Sequence, residues 1–455
     1  VTTPWSSLFF TRLRGRAAPA FVVGSAIQPA AATWAVARTW VKALRAAGLQ
    51  PGDRVVLALP AGGAFVSVLV AALCEGWTLA VVPPADDAEQ WLDILDARLA
   101  IAEGATGPGR ARPAAGGACP ERVTLRPATG APTHDARLLL RTSGTTSAGR
   151  WIALSDANVA AVLDSHRPAL GLSGAIVLSV LPWHHVFGLV LDLLPALLDA
   201  EEIVRDPAGG RDVAALSALA AEVPVTHLNL VPATAMALAA RDDGLLDRLQ
   251  GGLVGGAAVS ASLAERLART RLRVGYGQTE ASPGITLGAP GEWSARWLGR
   301  AVGCEVRRDD DGVLAFRGAN AAIGEWRDGT LHRAEAGAWR RTGDLVEAVG
   351  DGWRFEGRIG DGFKLANGRM VETARWEAAL RAALPSADDV LLWTPDGERL
   401  AVSVTVTSAT DELAGTVRAA LGPLGERLAA VHVVPRESWR RTPKGEVDRR
   451  HPPTA

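Results

Sequence analysis

Helical and strand patterns alternate through the first part of this chain, and that alternation restricts the fold more than any single residue does. Over residues 34–47 the apolar positions recur at helical spacing. Gly48 and Pro51-Gly52-Asp53 then turn the chain into a short apolar run over 54–59. Residues 64–83 repeat the arrangement as a buried helix followed by a strand. Glu75 and Gly76 interrupt this stretch, so it does not read as a membrane span. Helices alternating with short Val/Leu/Ala strands imply an α/β fold of layered units with largely parallel sheets. Residues 104–135, rich in Gly, Pro, Ala and Arg without periodicity, read as a surface loop or partly disordered connector. Three glycines fall in the six residues 357–362, where they open backbone angles closed to other residues. A mobile boundary at this point predicts a large N-terminal unit, 1–357, and a small α+β lobe, 358–455. The lobe should carry a helix near 373–383 and strands near 390–393 and 400–406.

Composition excludes several classes of function. The chain has 455 residues, 48% of them apolar, enough to bury a large core in two or more units. A formal net charge of −1 gives no global field to attract nucleic acid or an anionic membrane. Cys74, Cys119 and Cys304 are odd in number and lack metal-ligand spacing, which fits buried packing residues in a reducing compartment. At the start, Arg12, Arg14 and Arg16 follow the short apolar run instead of preceding it, the wrong order for a signal peptide. A soluble cytoplasmic protein without an integral membrane segment is expected. Tyr276 is the one tyrosine and Lys42, Lys364 and Lys444 are the three lysines. A chain that has otherwise given up Tyr and Lys should keep them near its chemistry.

The apolar run 138–140 leads into Arg141-Thr142-Ser143-Gly144-Thr145-Thr146-Ser147-Ala148-Gly149-Arg150, and a second strand-like run, Trp151–Leu154, follows. Small hydroxyl side chains and glycines let N–H and O–H groups converge on phosphate oxygens, and Arg150 adds a charge-assisted donor. The loop is not a Walker A loop, which needs GxxxxGK[ST] opening a helix.

Eight segments stand in one order: TSGTTSAGR at 142–150, LPWHHVFGL at 181–189, GGAAVS at 255–260, GYGQTE at 275–280, FRGANAAIGEW at 316–326, RTGDL at 341–345, GRIGDGFKLANGRMVE at 357–372 and TPKGEVDRR at 442–450. In this order they resemble the ANL superfamily of acyl- and aryl-CoA synthetases, peptide-synthetase adenylation domains and luciferases, over about residues 30–450. The resemblance implies an acid–thiol ligase that forms an acyl-adenylate with ATP and Mg²⁺ and passes the acyl group to CoA or to the phosphopantetheine of an acyl carrier protein. It also implies residue roles. Thr142, Ser143, Gly144, Thr145 and Thr146, with Arg150, would hold the β- and γ-phosphates. Tyr276 would stack on adenine, with Gly255, Gly256, Ala257 and Ala258 as the opposite wall and Gly277 lying beside both adenine and acid. Thr279 would bind the α-phosphate, Glu280 would hold Mg²⁺, and Asp344 and Arg358 would engage the ribose. Trp183, His184 and His185 would gate the acid pocket. The absence of an aspartate from Trp-His-His disfavours an amino acid, whose buried ammonium would need a carboxylate partner.

Two positions depart from the family pattern. The hinge pivot, usually Asp or Lys, is Gly360. The catalytic lysine of the C-terminal motif falls on Glu446, which reverses an electrostatic contribution of roughly 4 kcal/mol at about 4 Å in an effective dielectric of about 20. Lys444 lies two residues earlier and so, in an extended segment, on the same side. It is the candidate replacement. Lys364 resembles the segment that reaches the site when the lobe rotates. The competing reading is a nucleotide-binding pseudoenzyme, disabled by Glu446, that serves as a partner subunit.

Overall fold

A computed structural model describes residues 20–454, apart from 24–25, 106, 128–129, 143–148, 367–369, 407–411 and 443–446. Ser143, Gly144, Thr145, Thr146, Lys444 and Glu446 therefore lie outside the described residues. Among those described, an eight-stranded sheet runs in the order Thr330–Arg333, Gly324–Arg327, Trp151–Leu154, Leu138–Arg141, Thr78–Val81, Arg54–Ala58, Leu99–Ala102, Arg110–Ala111. Its pairs from Leu138–Arg141 to Arg110–Ala111 are parallel. A five-stranded sheet, also mostly parallel, places Ile176–Ser179 between His227–Leu228 and Glu202–Arg205. The helix Ala30–Ala46 covers the first sheet's neighbourhood with a stripe of Ala30, Thr33, Ala37, Trp40 and Leu44. Trp40 and Leu44 are fully buried, about 2 kcal/mol of apolar transfer each.

The expectation of largely parallel sheets fails for the third sheet. It runs Leu253–Gly255, Arg273–Gly277, Gly284–Leu287, Trp297–Ala301, Gly352–Arg358, Arg340–Val349, Val313–Arg317, Glu305–Arg308, and only its first pair is parallel. Short turns join several of these strands, as between 349 and 352, leaving no room for the crossover of a dozen or more residues that a parallel pair needs. Residues 104–135 also differ from expectation. Arg110–Ala111 extends the first sheet, the Gly117 carbonyl accepts from Trp40 Nε1 at 2.9 Å, and Val123 and Leu125 pack on the core. The three cysteines are half-buried, not buried, and burial still pushes the thiols of Cys74 and Cys119 up to about 12 and that of Cys304 up to about 11.

Beyond residue 358 a separate apolar cluster includes Leu380, Val402 and Val417. It is built from the helix Thr373–Ala383, the strands Val390–Trp393, Leu400–Val404 and Leu428–Val433, and the helix Leu413–Ala420. Polar contacts join this cluster to the body. Arg436 donates to the hydroxyls of Ser262 at 2.8 Å and Ser260 at 2.9 Å, and Asp388 accepts from Ser262 N–H at 3.1 Å. Gly360 has φ +83° with open space around its Cα, so an L side chain there would be strained though not crowded.

Candidate active site

The strands Leu138–Arg141 and Trp151–Leu154, which flank the hydroxyl-rich run, pair antiparallel, as the strand–loop–strand pattern predicts. Thr142 N–H donates to the Arg150 carbonyl at 2.8 Å, and Arg150 N–H donates to Thr142 Oγ1 at 3.1 Å, so the pairing of the two strands continues through these residues. The helix Asp156–Leu170 starts directly behind the hairpin. Ser155 Oγ accepts from Asn158 N–H and Asn158 Oδ1 accepts from Ser155 N–H, a reciprocal cap contributing about 1 kcal/mol. The Arg150 guanidinium crosses to Glu280 and stands 3.7 Å from Glu325, so the expected phosphate cation and the expected metal carboxylate meet.

Tyr276 lies on Arg273–Gly277 and Asp344 on Arg340–Val349. The Tyr276 hydroxyl donates to Asp344 Oδ2 at 2.7 Å, while Arg358 Nε lies 3.3 Å from Asp344 Oδ1. Asp344 and Arg358 are register partners on adjacent strands, which explains why residues 14 positions apart in sequence meet here. Burial first, and the Asp344 charge second, push the Tyr276 phenol well above its ordinary range, so it remains a donor at neutral pH. Thr279 and Glu280 sit in the short turn Thr279–Ala281. Gly277 is required on steric grounds, because a Cβ there would fall 1.6 Å from the Pro283 carbonyl oxygen. Gly255 ends the neighbouring strand Leu253–Gly255, Gly256 is exposed, and Ala257 and Ala258 are half-buried beside it.

Trp183, His184 and His185 follow the strand Ile176–Ser179. The two imidazoles lie 4.6 Å apart, half-buried, and burial pushes the His184 pKa down. Trp183 faces inward, 1% exposed, and its Nε1 donates to Ser179 Oγ at 2.9 Å. A π-helix, Phe187–Leu193, continues from the histidines; such turns recur at functional sites. It brings the Phe187 ring to Gly255, where an added methyl would lie 3.7 Å from Cε1. The histidine segment and the glycine segment thus border one region.

Sequence reasoning missed the polar side chains behind that region. Asp192, on the π-helix, accepts from the Ser179 hydroxyl and from Asn229 Nδ2 at 2.9 Å. Arg205 Nη1 donates to Ser179 Oγ at 3.2 Å and to the Leu181 carbonyl at 2.7 Å, and its guanidinium lies 5.3 Å from the Trp183 ring centroid. The one available signal was a lone acid in the otherwise apolar run 186–198. Lys364 is exposed on the hairpin strand Gly362–Lys364, paired with Met370–Glu372. No candidate metal cluster of three or more His, Cys, Asp or Glu side chains occurs among the described residues. A single carboxylate such as Glu280, with oxygen donors from a bound triphosphate, is a donor set that suits Mg²⁺. No helix among the described residues is long and apolar enough to cross a membrane.

The profile of the AMP-binding enzyme family matches residues 31–312. An anthranilate–CoA ligase from Pseudomonas aeruginosa is 28% identical, over 80% of this chain and 78% of its own length. Phenyloxazoline synthase MbtB from a Mycobacterium species is also 28% identical over 90% of this chain, which spans only 38% of that protein. Two solved structures share the fold over nearly the whole of both chains. MatB from Rhodopseudomonas palustris has a TM-score of 0.75 at 19% identity, covering 99% of this chain and 98% of its own. A benzoate CoA ligase from Burkholderia xenovorans has a TM-score of 0.74 at 20% identity, covering 98% of each. With the family profile spanning well over half of its length and the same fold found across whole chains of solved adenylate-forming enzymes, the chain belongs to the AMP-binding enzymes of the ANL adenylate-forming superfamily.

Proposed function

We propose that this chain activates an aromatic carboxylic acid as its acyl-adenylate and passes it to the thiol of CoA or of a carrier-protein phosphopantetheine, in the cytoplasm. The observation that carries this reading is the Tyr276–Asp344–Arg358 constellation, with Glu280, in the turn that follows the Tyr276 strand, paired to Arg150. The aromatic preference is supported by relatives named for anthranilate and feruloyl substrates and, at the level of fold, by a benzoate ligase. In the first step a carboxylate oxygen attacks the α-phosphorus of ATP and pyrophosphate leaves. Catalysis then rests on alignment and on preorganised donors, not on covalent chemistry with the protein. Tyr276 stacks on adenine against the wall Gly255 to Ala258, and Asp344 accepts the ribose hydroxyls with Arg358 supporting it. Thr279 donates to the α-phosphate, and Thr142 and Arg150 close the hairpin on the triphosphate. Mg²⁺ held by Glu280 would neutralise charge on the phosphates. Trp183, His184 and His185 exclude water from the acid.

The division into 1–357 and 358–455, with rotation at 357–362 about Gly360, belongs to the same proposal. A cavity of about 490 Å³ between the two parts, lined by Met236, Ala258, Arg296 and Arg381 among others, offers the thiol arm an approach. Lys444 supplies the cation that Glu446 does not. Acid-dependent pyrophosphate release, measured across benzoates, hydroxybenzoates, cinnamates and C6 to C16 fatty acids, tests the reading. Release with one aromatic class is expected, and release only with fatty acids would overturn the aromatic assignment. Silence with ATP binding intact would favour the pseudoenzyme, the reading that Glu446 itself motivates. Lys444→Ala should abolish release; an unchanged rate would remove Lys444 from the mechanism.

A further inference from the structure

We propose that Asp192 is a positioning residue: with Asn229 and Ser179 it forms a buried polar bridge that fixes the Trp183–His185 segment relative to the strand ending at Gly255. The inference rests on the reading of the Trp183–His185 segment as a wall of the acid pocket and of the strand ending at Gly255 as its neighbour, leading into the adenine wall. The bridge can be followed atom by atom. Leu253 N–H donates to Asn229 Oδ1 at 2.7 Å, and a backbone N–H can only donate, so the Asn229 amide is oriented with Nδ2 away from Leu253. That Nδ2 donates to Asp192 Oδ1 at 2.9 Å and to the Leu191 carbonyl at 3.1 Å. On the other side Trp183 Nε1 and Arg205 Nη1, both obligate donors, point at Ser179 Oγ, at 2.9 and 3.2 Å. With both lone pairs engaged, Ser179 sends its own proton to Asp192 Oδ2. Both oxygens of Asp192 therefore face donors, and the group is a carboxylate.

Ser179 and Asp192 are each 1% exposed and Asn229 is 7% exposed, so water does not repair a mismatch here. The Leu253 end of the bridge leads within two residues to Gly255, and the Trp183 end leads directly to His184 and His185. The bridge spans three elements, the strand Ile176–Ser179, the π-helix Phe187–Leu193 and the strand Leu253–Gly255, and ties the histidine segment and the strand that leads into the glycine segment to one carboxylate. Arg205 adds the compensating charge, held by the Ser179 and Leu181 carbonyls at 3.1 and 2.7 Å.

The donor count gives an unusual test, because exchanging two side chains should restore what either single change destroys. In Asp192→Asn an amide N–H₂ confronts either the Ser179 proton or the Asn229 amide. In Asn229→Asp two carboxylates confront each other. In the double variant the amide carbonyl now at position 192 accepts from Ser179, the amide N–H₂ there donates to the carboxylate now at position 229, and Leu253 N–H keeps an acceptor; only the Leu191 carbonyl loses its donor. Full-length proteins are compared by hydrogen exchange over 181–193 and 253–255, and by pyrophosphate release split into kcat, KM for acid and KM for ATP. Each single variant should speed exchange in both segments and raise KM for acid roughly tenfold, with KM for ATP within about twofold; the double should recover both readouts to within about threefold.

Equal rises in the two KM values would show general loosening and overturn the positioning role, as would a double variant no better than the singles. If a single variant fails to fold, the double and Ser179→Ala, which removes the hydroxyl link while leaving Asp192 its Asn229 donor, carry the test. If no acid releases pyrophosphate with the wild-type chain, it is the reaction reading that fails, and exchange alone decides the bridge: unchanged exchange in the singles overturns it.

Discussion

Arg150 and Arg358 keep more than half of their side-chain surface in solvent while pairing with Glu280 and Asp344, whereas Ser179, Trp183 and Asp192 across the site are each 1% exposed. On the side proposed for the nucleotide, the arginines of the ion pairs reach water and can exchange partners at small cost, since exposed pairs contribute at most about 1 kcal/mol. On the side of Trp183 and Asp192 each buried donor finds its acceptor within the protein, with no water to replace it. A site that must take up and release a highly charged nucleotide in each turnover is served by the first arrangement, and a pocket that must hold one shape by the second. The largest expected effect tests this contrast directly. Glu280→Gln should lower acid-dependent pyrophosphate release by ~10²–10³-fold, the scale of losing one preorganised electrostatic group, while leaving thermal stability within about 0.5 kcal/mol. A large loss of stability would show that the Arg150–Glu280 pair is structural and would break the comparison.

Two buried groups, His166 and Asp192, differ in the sign of their response to acid. His166, 2% exposed, lies beneath the strand Gly284–Leu287, where an added Gly284 Cβ would fall 2.3 Å from its Cε1. Burial pushes its pKa from 6.5 down to about 4. The unfolded chain therefore takes up a proton first as pH falls, so this stability is complete above pH 6.5 and is lost progressively towards pH 4, about 3 kcal/mol over the whole window. Asp192 runs the other way. Burial pushes its carboxyl from 3.8 up to about 6, so its contribution to stability is present below pH 3.8 and lost as pH rises through about 6. Urea unfolding at pH 7.5 and pH 5 should show wild type losing about 2 kcal/mol more than His166→Gln on acidification, and equal losses would remove His166 from the account.

The same contrast explains what could be read from the sequence. The helix Thr373–Ala383 and the strand Val390–Trp393 were legible because their periods are local, and the family was legible because its ordered motifs fall on rare residues, Tyr276 above all. The acid-side bridge is assembled from positions 179, 183, 192, 205 and 229, which only the folded sheet brings together. Asp192 sits in a run that reads as a core helix, and neither Ser179 at a strand end nor Asn229 beyond a two-residue strand carries a pattern. The antiparallel third sheet escaped for a related reason. Short apolar strands look alike in sequence, and only the length of each connection distinguishes a hairpin from a crossover.

The smallest effect sharpens the idea of exchangeable partners. Asp344 has two oxygens, of which Oδ2 accepts from the Tyr276 hydroxyl and Oδ1 lies 3.3 Å from Arg358. In the proposed reaction the same carboxylate receives the ribose hydroxyls, so the tyrosine hydroxyl competes with the nucleotide for it. Tyr276→Phe removes that competitor and keeps the ring that stacks on adenine. The bond it deletes contributes about 1 kcal/mol, so KM for ATP should fall, by no more than about fivefold, with kcat little changed. Tyr276→Ala, which removes the ring as well, should instead raise KM for ATP. A tenfold rise in Tyr276→Phe would mean that the hydroxyl binds the nucleotide itself, and the nucleotide side would then hold a committed contact of the kind that defines the acid side.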